Sequence, residues 1–314
     1  MGLRRQLGSR STGHDQAAAS ARTTQFLSFG ACGWRIAFTG CGDVVEGVKA
    51  ILRGWNIREL PQSSTLSLHA YITRTKSGRF LWRSEQMPRP ALWNSDPPTT
   101  AMNVIRDVHD VFFDWFLKEH PGHLCLHAAA VHLGDGVVCF PSVHRAGKST
   151  LSVALAASGQ VVYCDDVLPI EPNNNHAKAL GIAPILRRPL PTSVGGAFRD
   201  FVATRKGPRN RDWVYVRLGE DEIAPFGETA PIKVLVLLDR KDRGRARLEP
   251  LNKSEALKEL ILQNFADQVP SVEILDRLLQ ITRRALCCRL QFARPANAAK
   301  LLSESYGDRR TRTR

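Results

Sequence analysis

Nowhere in the 314 residues does an apolar run approach the ~20 needed for a membrane-spanning helix, so no membrane partner is expected. The first stretch, "MGLRRQLGSRSTGHDQAAASARTTQ", has arginines but no apolar centre, which excludes a secretory signal. The seven cysteines form no Cys-x-x-Cys pair, and most of them lie inside apolar, strand-like runs. That pattern reads as reduced, buried thiols in a cytoplasmic protein. Internal repeats are absent. Acidic residues are few: 30 Asp and Glu stand against 44 Lys and Arg, a net charge of +14.

The location of that excess decides what it means. Residues 1–25 carry +3, residues 306–314 another +3, and residues 187–217 carry +6. A nucleic-acid face interleaves aromatic and basic residues along a groove-sized element. Only "DWVYVR" approaches this, and it describes a strand equally well, so nucleic acid is not an expected partner. Residues 1–25 are expected to be a disordered leader and 306–314 a basic tail.

With 43% hydrophobic residues the chain can bury a large core. Its pattern predicts a small α+β N-terminal domain over 26–98 and a larger α/β domain over 99–305. In the first, "WRIAFTG" reads as a strand and "VVEGVKAILRGW" as a helix. "LSLHAYITRTKSGRFLWRS" reads as a hairpin about Lys76-Ser77-Gly78. Its Trp and Phe residues read as core. After the Pro-rich "MPRPALWNSDPPTT", the spacing of Met102, Ile105, Val108, Phe112, Trp115 and Phe116 predicts an amphipathic helix. Further on, "IKVLVLLD" and "CCRLQF" read as strands. Asn252 with Glu255 resembles a capping box opening a helix.

The chemistry gathers in "LHAAAVHLGDGVVCFPSVHRAGKSTLSVALAASGQVVYCDDVLPI". A hairpin about Gly134-Asp135-Gly136 feeds "FPSVHRAGKST", an Ala- and Leu-rich helix starts at the lysine, and a strand ends in Asp165-Asp166. Strand, loop, helix and strand make a βαβ unit, in which the loop, the helix N-terminus and the two aspartates share one sheet edge. A phosphate-binding loop of the form Gly-x-x-x-x-Gly-Lys-Ser/Thr wraps phosphates with successive backbone N–H groups. Gly147, Lys148 and Ser149 keep its second half. Ser142 stands at the first glycine position, and Arg145 would pay roughly 1–2 kcal/mol if the loop demands left-handed angles there. The expected nucleotide contacts are Ser142, Val143, His144, Arg145, Ala146, Gly147, Lys148, Ser149 and Thr150. ATP and Mg²⁺ are the expected cofactors. Lys148 would contact the β- and γ-phosphates, with Ser149 and Asp165 on the metal.

These residues resemble the bacterial HPr kinase/phosphorylase family, over about 125–185. The C-terminal pattern is closer to its HPr-kinase-related group, which includes kinases that tailor lasso peptides. The resemblance implies a P-loop kinase domain of HPr-kinase type. It makes Asp166 the general base and His127 a catalytic histidine, alongside Lys148. A lone histidine in an apolar run is otherwise a core residue. Where the family carries a second magnesium-binding glutamate, this chain has His176, and the family's C-terminal arginine segment has no counterpart. Both departures argue against the reverse, phosphorylase reaction and against HPr as acceptor.

The reading that results is an ATP-dependent serine kinase acting on a peptide or protein acceptor, a ribosomal peptide among the candidates. Homo-oligomerisation is compatible with it. A nucleotide-binding regulatory module that has lost catalysis and a kinase of free serine are the alternatives. The basic segment 187–217 is expected either to dock an anionic acceptor or to be a solvated loop.

Overall fold

A computed structural model describes residues 23–61, 67–84, 87 and 98–307. The expected leader up to residue 22, the tail from residue 308 and residues 88–97 of the Pro-rich connection lie outside these. The N-terminal part opens with a hairpin of β1 (Thr24–Phe29) and β2 (Trp34–Thr39). Helix α1 (Gly42–Ile51), β3 (Ile57–Leu60) and a second hairpin, β4 (Ala70–Arg74) with β5 (Phe80–Ser84), follow. The strands form one sheet in the order β3-β1-β2-β4-β5. At the second hairpin Gly78 takes φ 83°, a turn conformation cheap only for glycine.

Helix α2 (Ala101–Glu119) is capped by the Thr100 hydroxyl, which accepts from the Asn103 N–H at 3.3 Å. The sequence places this helix at the head of the second unit. In the fold its Met102, Ile105, Val108 and Phe112 join the core of the five-stranded sheet. Phe112 packs on Phe29, Trp34 and Trp55 with ring centroids 4.7, 5.2 and 4.9 Å away. Phe29, Trp34, Phe38, Trp55, Phe80 and Trp82 of the N-terminal part are core residues, as expected of its Trp and Phe residues.

The remaining chain continues through β6 (Leu124–His127), β7 (Ala129–Leu133), β8 (Gly136–Phe140), α3 (Lys148–Ala156), β9 (Val161–Cys164), β10 (Val167–Ile170) and β11 (Ala177–Lys178). Next are β12 (Ile185–Arg187), α4 (Gly196–Thr204), β13 (Lys206–Arg209), β14 (Trp213–Val216) and β15 (Thr229–Ala230). The chain closes with β16 (Ile232–Arg240), β17 (Arg247–Pro250), α5 (Lys253–Gln263), α6 (Ser271–Arg284), β18 (Leu286–Phe292) and α7 (Pro295–Tyr306). Among the described residues the fold is mixed α/β, with four sheets and seven helices. No described helix is long and apolar enough to cross a membrane. All seven cysteines are unpaired.

A six-stranded sheet, ordered β17-β18-β16-β8-β7-β9, organises this part. Strand β16 runs parallel to β8 and β18, while β7 runs antiparallel to β8 and β9. So β8 and β9 point the same way with β7 between them, and the predicted βαβ unit has an inserted strand. Ala129 pairs with Phe140 and Ala130 with Cys164, which ends β8 and β9 at nearly the same level. Side chains alternate across the sheet, as the period of two requires. Val138, Phe140, Val234 and Val236 face one core, closed by Leu151 and Leu155 of α3 and Leu302 of α7. Val137, Cys139 and Leu235 face the other, closed by Leu260 of α5 and Leu278 of α6. Burial on both faces is why β16 reads as a nearly unbroken apolar run. Asn252 caps α5 by accepting from the Ser254 N–H at 3.0 Å, while the Glu255 carboxylate pairs with Arg289.

The loop after α1 is fastened to the second part by backbone. The Gly54 N–H donates to Gly181 O at 3.0 Å, the Phe226 N–H donates to Gly54 O at 2.8 Å, and the Trp55 indole N–H donates to Leu180 O at 2.7 Å. A Cβ on Gly54 would lie 2.5 Å from the Gly181 Cα and 2.7 Å from the Ala224 carbonyl oxygen. Both obstacles are backbone, so neither can rotate aside. Gly54→Ala should therefore lower stability by about 2 kcal/mol or more in urea unfolding. A change under 0.5 kcal/mol would show that the two strands of backbone part freely.

Candidate active site

The C-terminal ends of β8, β9, β16 and β18 share one edge of the six-stranded sheet, the edge where open α/β sheets bind ligands. The 141–147 loop leaves β8 there, Asp165-Asp166 leaves β9, and Arg240 closes β16. A cleft of about 620 Å³ opens at this edge, and its lining includes His127, His144, Lys148, Ser149, Asp165 and Asp166. Arg145, Gly147 and Thr150 complete the loop's share of the lining. Of the nine residues predicted to touch a nucleotide, Ser142, Val143 and Ala146 do not line the cleft.

Ser142 has a different job from the glycine it replaces. It is buried, and its hydroxyl accepts from the Leu238 N–H at 3.0 Å, tying the start of the loop to β16. Glycine could not make that bond. The left-handed angles fall instead at Gly147, with φ 101°, and at Arg145, with φ 67°. For Arg145 the strain is roughly 1–2 kcal/mol, and strain of this kind collects at functional sites. Lys148 is the first residue of α3, and its ammonium donates to the carbonyls of Ser142 at 2.6 Å and Val143 at 3.4 Å. Burial lowers its pKa; the carboxylates of Asp166 and Asp165 pull the other way.

The two aspartates follow β9 directly, in a bend, and both line the cleft. Asp165 is buried. Its Oδ2 accepts from the Ile185 N–H at 2.9 Å, and its Oδ1 is buried with no hydrogen-bond donor in bonding geometry. Burial pushes its pKa up to about 7, although the Ile185 N–H and the nearby Ser149 hydroxyl both lower it. Asp166 leaves 73% of its side chain exposed, and its Oδ1 lies 2.9 Å from His127 Nε2.

His127 is held from behind. Its Nδ1 meets Gln263 Oε1 at 3.1 Å, and the Gln263 amide NH₂ donates to Glu259 Oε1 at 2.9 Å. A carboxylate only accepts, so Glu259 turns the Gln263 oxygen toward the imidazole and places a hydrogen on Nδ1. The Asp166 carboxylate also only accepts, so the 2.9 Å contact at Nε2 is a hydrogen bond when that nitrogen carries a hydrogen as well. Gln263 and Glu259 come from α5, well over a hundred residues along the chain, and no motif marks them. Arg240 could have been suspected from its place at the end of a buried strand on the ligand-binding edge.

The basic segment divides. Arg187 and Arg188 line the cleft together with Trp213, whereas Arg205, Lys206 and Arg209 do not. Arg205 forms two hydrogen bonds to Glu222, at 3.0 and 2.6 Å. Lys206 and Arg209 lie in β13, lining a separate hollow with residues of α1. The segment is thus neither one docking face nor a solvated loop; it contains a helix, two strands and a share of the cleft wall. His176 sits in the β10–β11 connection and lines another small hollow with Lys233 and Arg284, away from the cleft.

No known protein family and no curated protein matches this chain. Among solved structures, that of the HPr(Ser) kinase/phosphatase from Coxiella burnetii is similar over 58% of this chain and 95% of that one, at 15% identity and a TM-score of 0.28.

The buried Asp165 carries a measurable consequence. Its carboxyl titrates near 7 in the fold against 3.8 as the ordinary value, so between these values the folded state holds a proton that the unfolded chain has lost. Stability therefore falls as pH rises through that window. Asp165→Asn removes the charge. The variant should gain stability over wild type between pH 5 and pH 8 by roughly 2–3 kcal/mol, measured by urea unfolding at both pH values. A difference independent of pH would mean that the Asp165 carboxylate sits in the fold at no cost.

Proposed function

We propose that this protein is an ATP-dependent phosphotransferase of the HPr-kinase-related kind, moving the γ-phosphate of ATP to a serine hydroxyl of a peptide or protein. The observation that carries the reading is the donor-less buried Oδ1 of Asp165, in one cleft with Ser149 and Lys148 at the start of a helix. A helix N-terminus presents unpaired N–H groups and a partial positive charge, which suit phosphate. A buried carboxyl of raised pKa with a donor-less oxygen suits a hard cation: Asp165 would hold Mg²⁺ in place of its proton. The donor set therefore fits the metal, with Ser149 and Asp165 holding it. Mg²⁺ supplies neutralisation of charge on the β- and γ-phosphate oxygens.

The chain's own residues have definite tasks in this reading. The Lys148 ammonium exchanges its bonds to the Ser142 and Val143 carbonyls for phosphate oxygens. Backbone N–H groups of 147–150 bind the phosphates, with His144 and Arg145 at the rim. Asp166, exposed to the cleft, takes the proton from the acceptor hydroxyl as its oxygen bonds to the γ-phosphorus and the bond to the β,γ-bridging oxygen breaks, releasing ADP. His127, its Nδ1 hydrogen fixed by Gln263, keeps the Asp166 carboxylate turned to that position. The two-unit organisation, a small N-terminal domain beside a P-loop kinase domain, belongs to this same reading.

Two substitutions test it. Lys148→Ala should abolish the rise in melting temperature that millimolar MgATP gives the wild type; a wild type that MgATP leaves unshifted sinks the nucleotide site itself. Asp166→Asn keeps the side chain's shape. It should retain the MgATP shift while phosphotransfer falls by roughly 10²–10⁴-fold, the usual worth of a general base. Transfer at the wild-type rate would return Asp166 to a structural role, and a shift without transfer in the wild type would favour a regulatory nucleotide-binding module.

A further inference from the structure

The wall of the cleft facing the 142–150 loop is built from Arg187, Arg188, Arg240 and Trp213. Each guanidinium is oriented, and none is neutralised. Arg187 Nη2 lies 2.5 Å from His144 Nε2, and its guanidinium stacks over the Trp213 ring at 4.8 Å from the centroid. Desolvation, then the charges of Arg187 and Arg145, hold the His144 pKa below its usual value, which leaves Nε2 free to accept. Arg188 Nη1 donates to Asn210 O at 2.7 Å, and Arg240 Nη2 donates to Ser193 Oγ at 3.0 Å. None of the three forms an ion pair among the described residues, whereas Arg205 with Glu222 and Lys178 with Glu171 do. With Arg145 and Lys148 the cleft is lined by five cationic side chains against the two carboxylates of Asp165 and Asp166.

Convergent cations without counter-charges cost free energy through mutual repulsion, and an anionic ligand removes that cost. Phosphate bound at the helix N-terminus would engage Lys148 and Arg145 and leave the opposite wall unmatched. That wall is joined to the proton-accepting end of the cleft. Strand β12 carries Ile185, whose N–H holds Asp165, and ends at Arg187. His144, the partner of Arg187, lies 6.3 Å ring to ring from His127, the partner of Asp166. A hydroxyl placed beside Asp166 therefore shares the cleft with Arg187 and Arg188. The guanidinium fork matches carboxylate and phosphate oxygens, and at least one arm of Arg188 and of Arg240 is uncommitted to the protein.

We propose that Arg187, Arg188 and Arg240 form an anion subsite that selects acidic acceptors, those bearing a carboxylate or phosphate near the hydroxyl that is phosphorylated. The proposal rests on the kinase reading for what the hydroxyl does, and on the cleft alone for what is bound.

Two serine-centred peptide pools serve as probes, one with Asp and Glu flanking the serine, the other with Asn and Gln. With the protein saturated by MgADP, calorimetry should show the acidic pool binding roughly tenfold more tightly, about the size of one charge-assisted hydrogen bond. Raising salt should narrow the gap, because exposed charges are screened over ~8 Å at physiological ionic strength. The combined variant Arg187→Gln, Arg188→Gln and Arg240→Gln should erase the difference between pools and leave MgADP affinity within a few-fold. Equal binding of the two pools by wild type overturns the proposal, as does acidic preference that survives in the variant. If the variant instead loses MgADP, the three arginines serve the nucleotide's own phosphates and the proposal fails. Transfer of labelled phosphate to the pools is scored separately. An arginine-dependent preference without transfer upholds the subsite and sinks the kinase reading.

Discussion

The parallel pairing of β8 with β16, and of β16 with β18, turns the C-terminal ends of three strands to one edge, and β9 joins them across the antiparallel β7. The 141–147 loop, Asp165, Asp166 and Arg240 hang from three of those four ends. Phe140 is buried and closes β8, so the loop that follows starts from a rigid point, and Ser142 pins its first turn to Leu238 on the neighbouring strand. Helix α3 then begins at Lys148 with its dipole aimed into the cleft. Its opposite flank is committed to the core through Leu151 and Leu155. Moving the loop would require repacking α3 against the sheet face it covers.

Around this frame the cleft holds costs that the core outweighs. A non-glycine residue sits at positive φ at Arg145, a carboxyl is buried with one oxygen lacking a donor at Asp165, and three guanidiniums line the same hollow without an ion pair among the described residues. Arg277, a buried guanidinium outside the cleft, donates to the carbonyls of Gly122, Ile170 and Glu171 and to Asn175 Oδ1. Arg277 is thus satisfied by the fold itself, whereas Asp165 Oδ1 is not. Polar groups left poorly satisfied are where substitution is expected to raise stability.

The line from Glu259 through Gln263 and His127 to Asp166 shows how a surface carboxylate acquires a fixed direction. Asp166 is mostly exposed, and an exposed side chain left alone samples several rotamers. Contact with an imidazole whose other nitrogen is already committed narrows that freedom. Two separate packing events meet here: α5 docking on the sheet beneath, and β6 pairing with β10, which sets His127 opposite Val167, one residue beyond Asp166.

Much of this was readable in the chain itself. An almost unbroken apolar run marks β16, a period of 3.6 marks α2, and Gly78 and Gly134 mark the β4–β5 and β7–β8 hairpins, because those signals act between residues close in sequence. The Gly-Lys-Ser run followed by Asp165-Asp166 was legible for the same reason: one strand, one loop and one helix bring them together. Local signals could not tell that α2 belongs to the N-terminal core, that β7 separates β8 from β9, or that Arg205 answers Glu222 while Arg187 and Arg188 face the cleft. Nor could they join Gln263 to His127 or Arg240 to the basic segment. Those choices depend on which strand pairs with which and on which faces find a partner, and that is settled only when distant parts of the chain exclude water together.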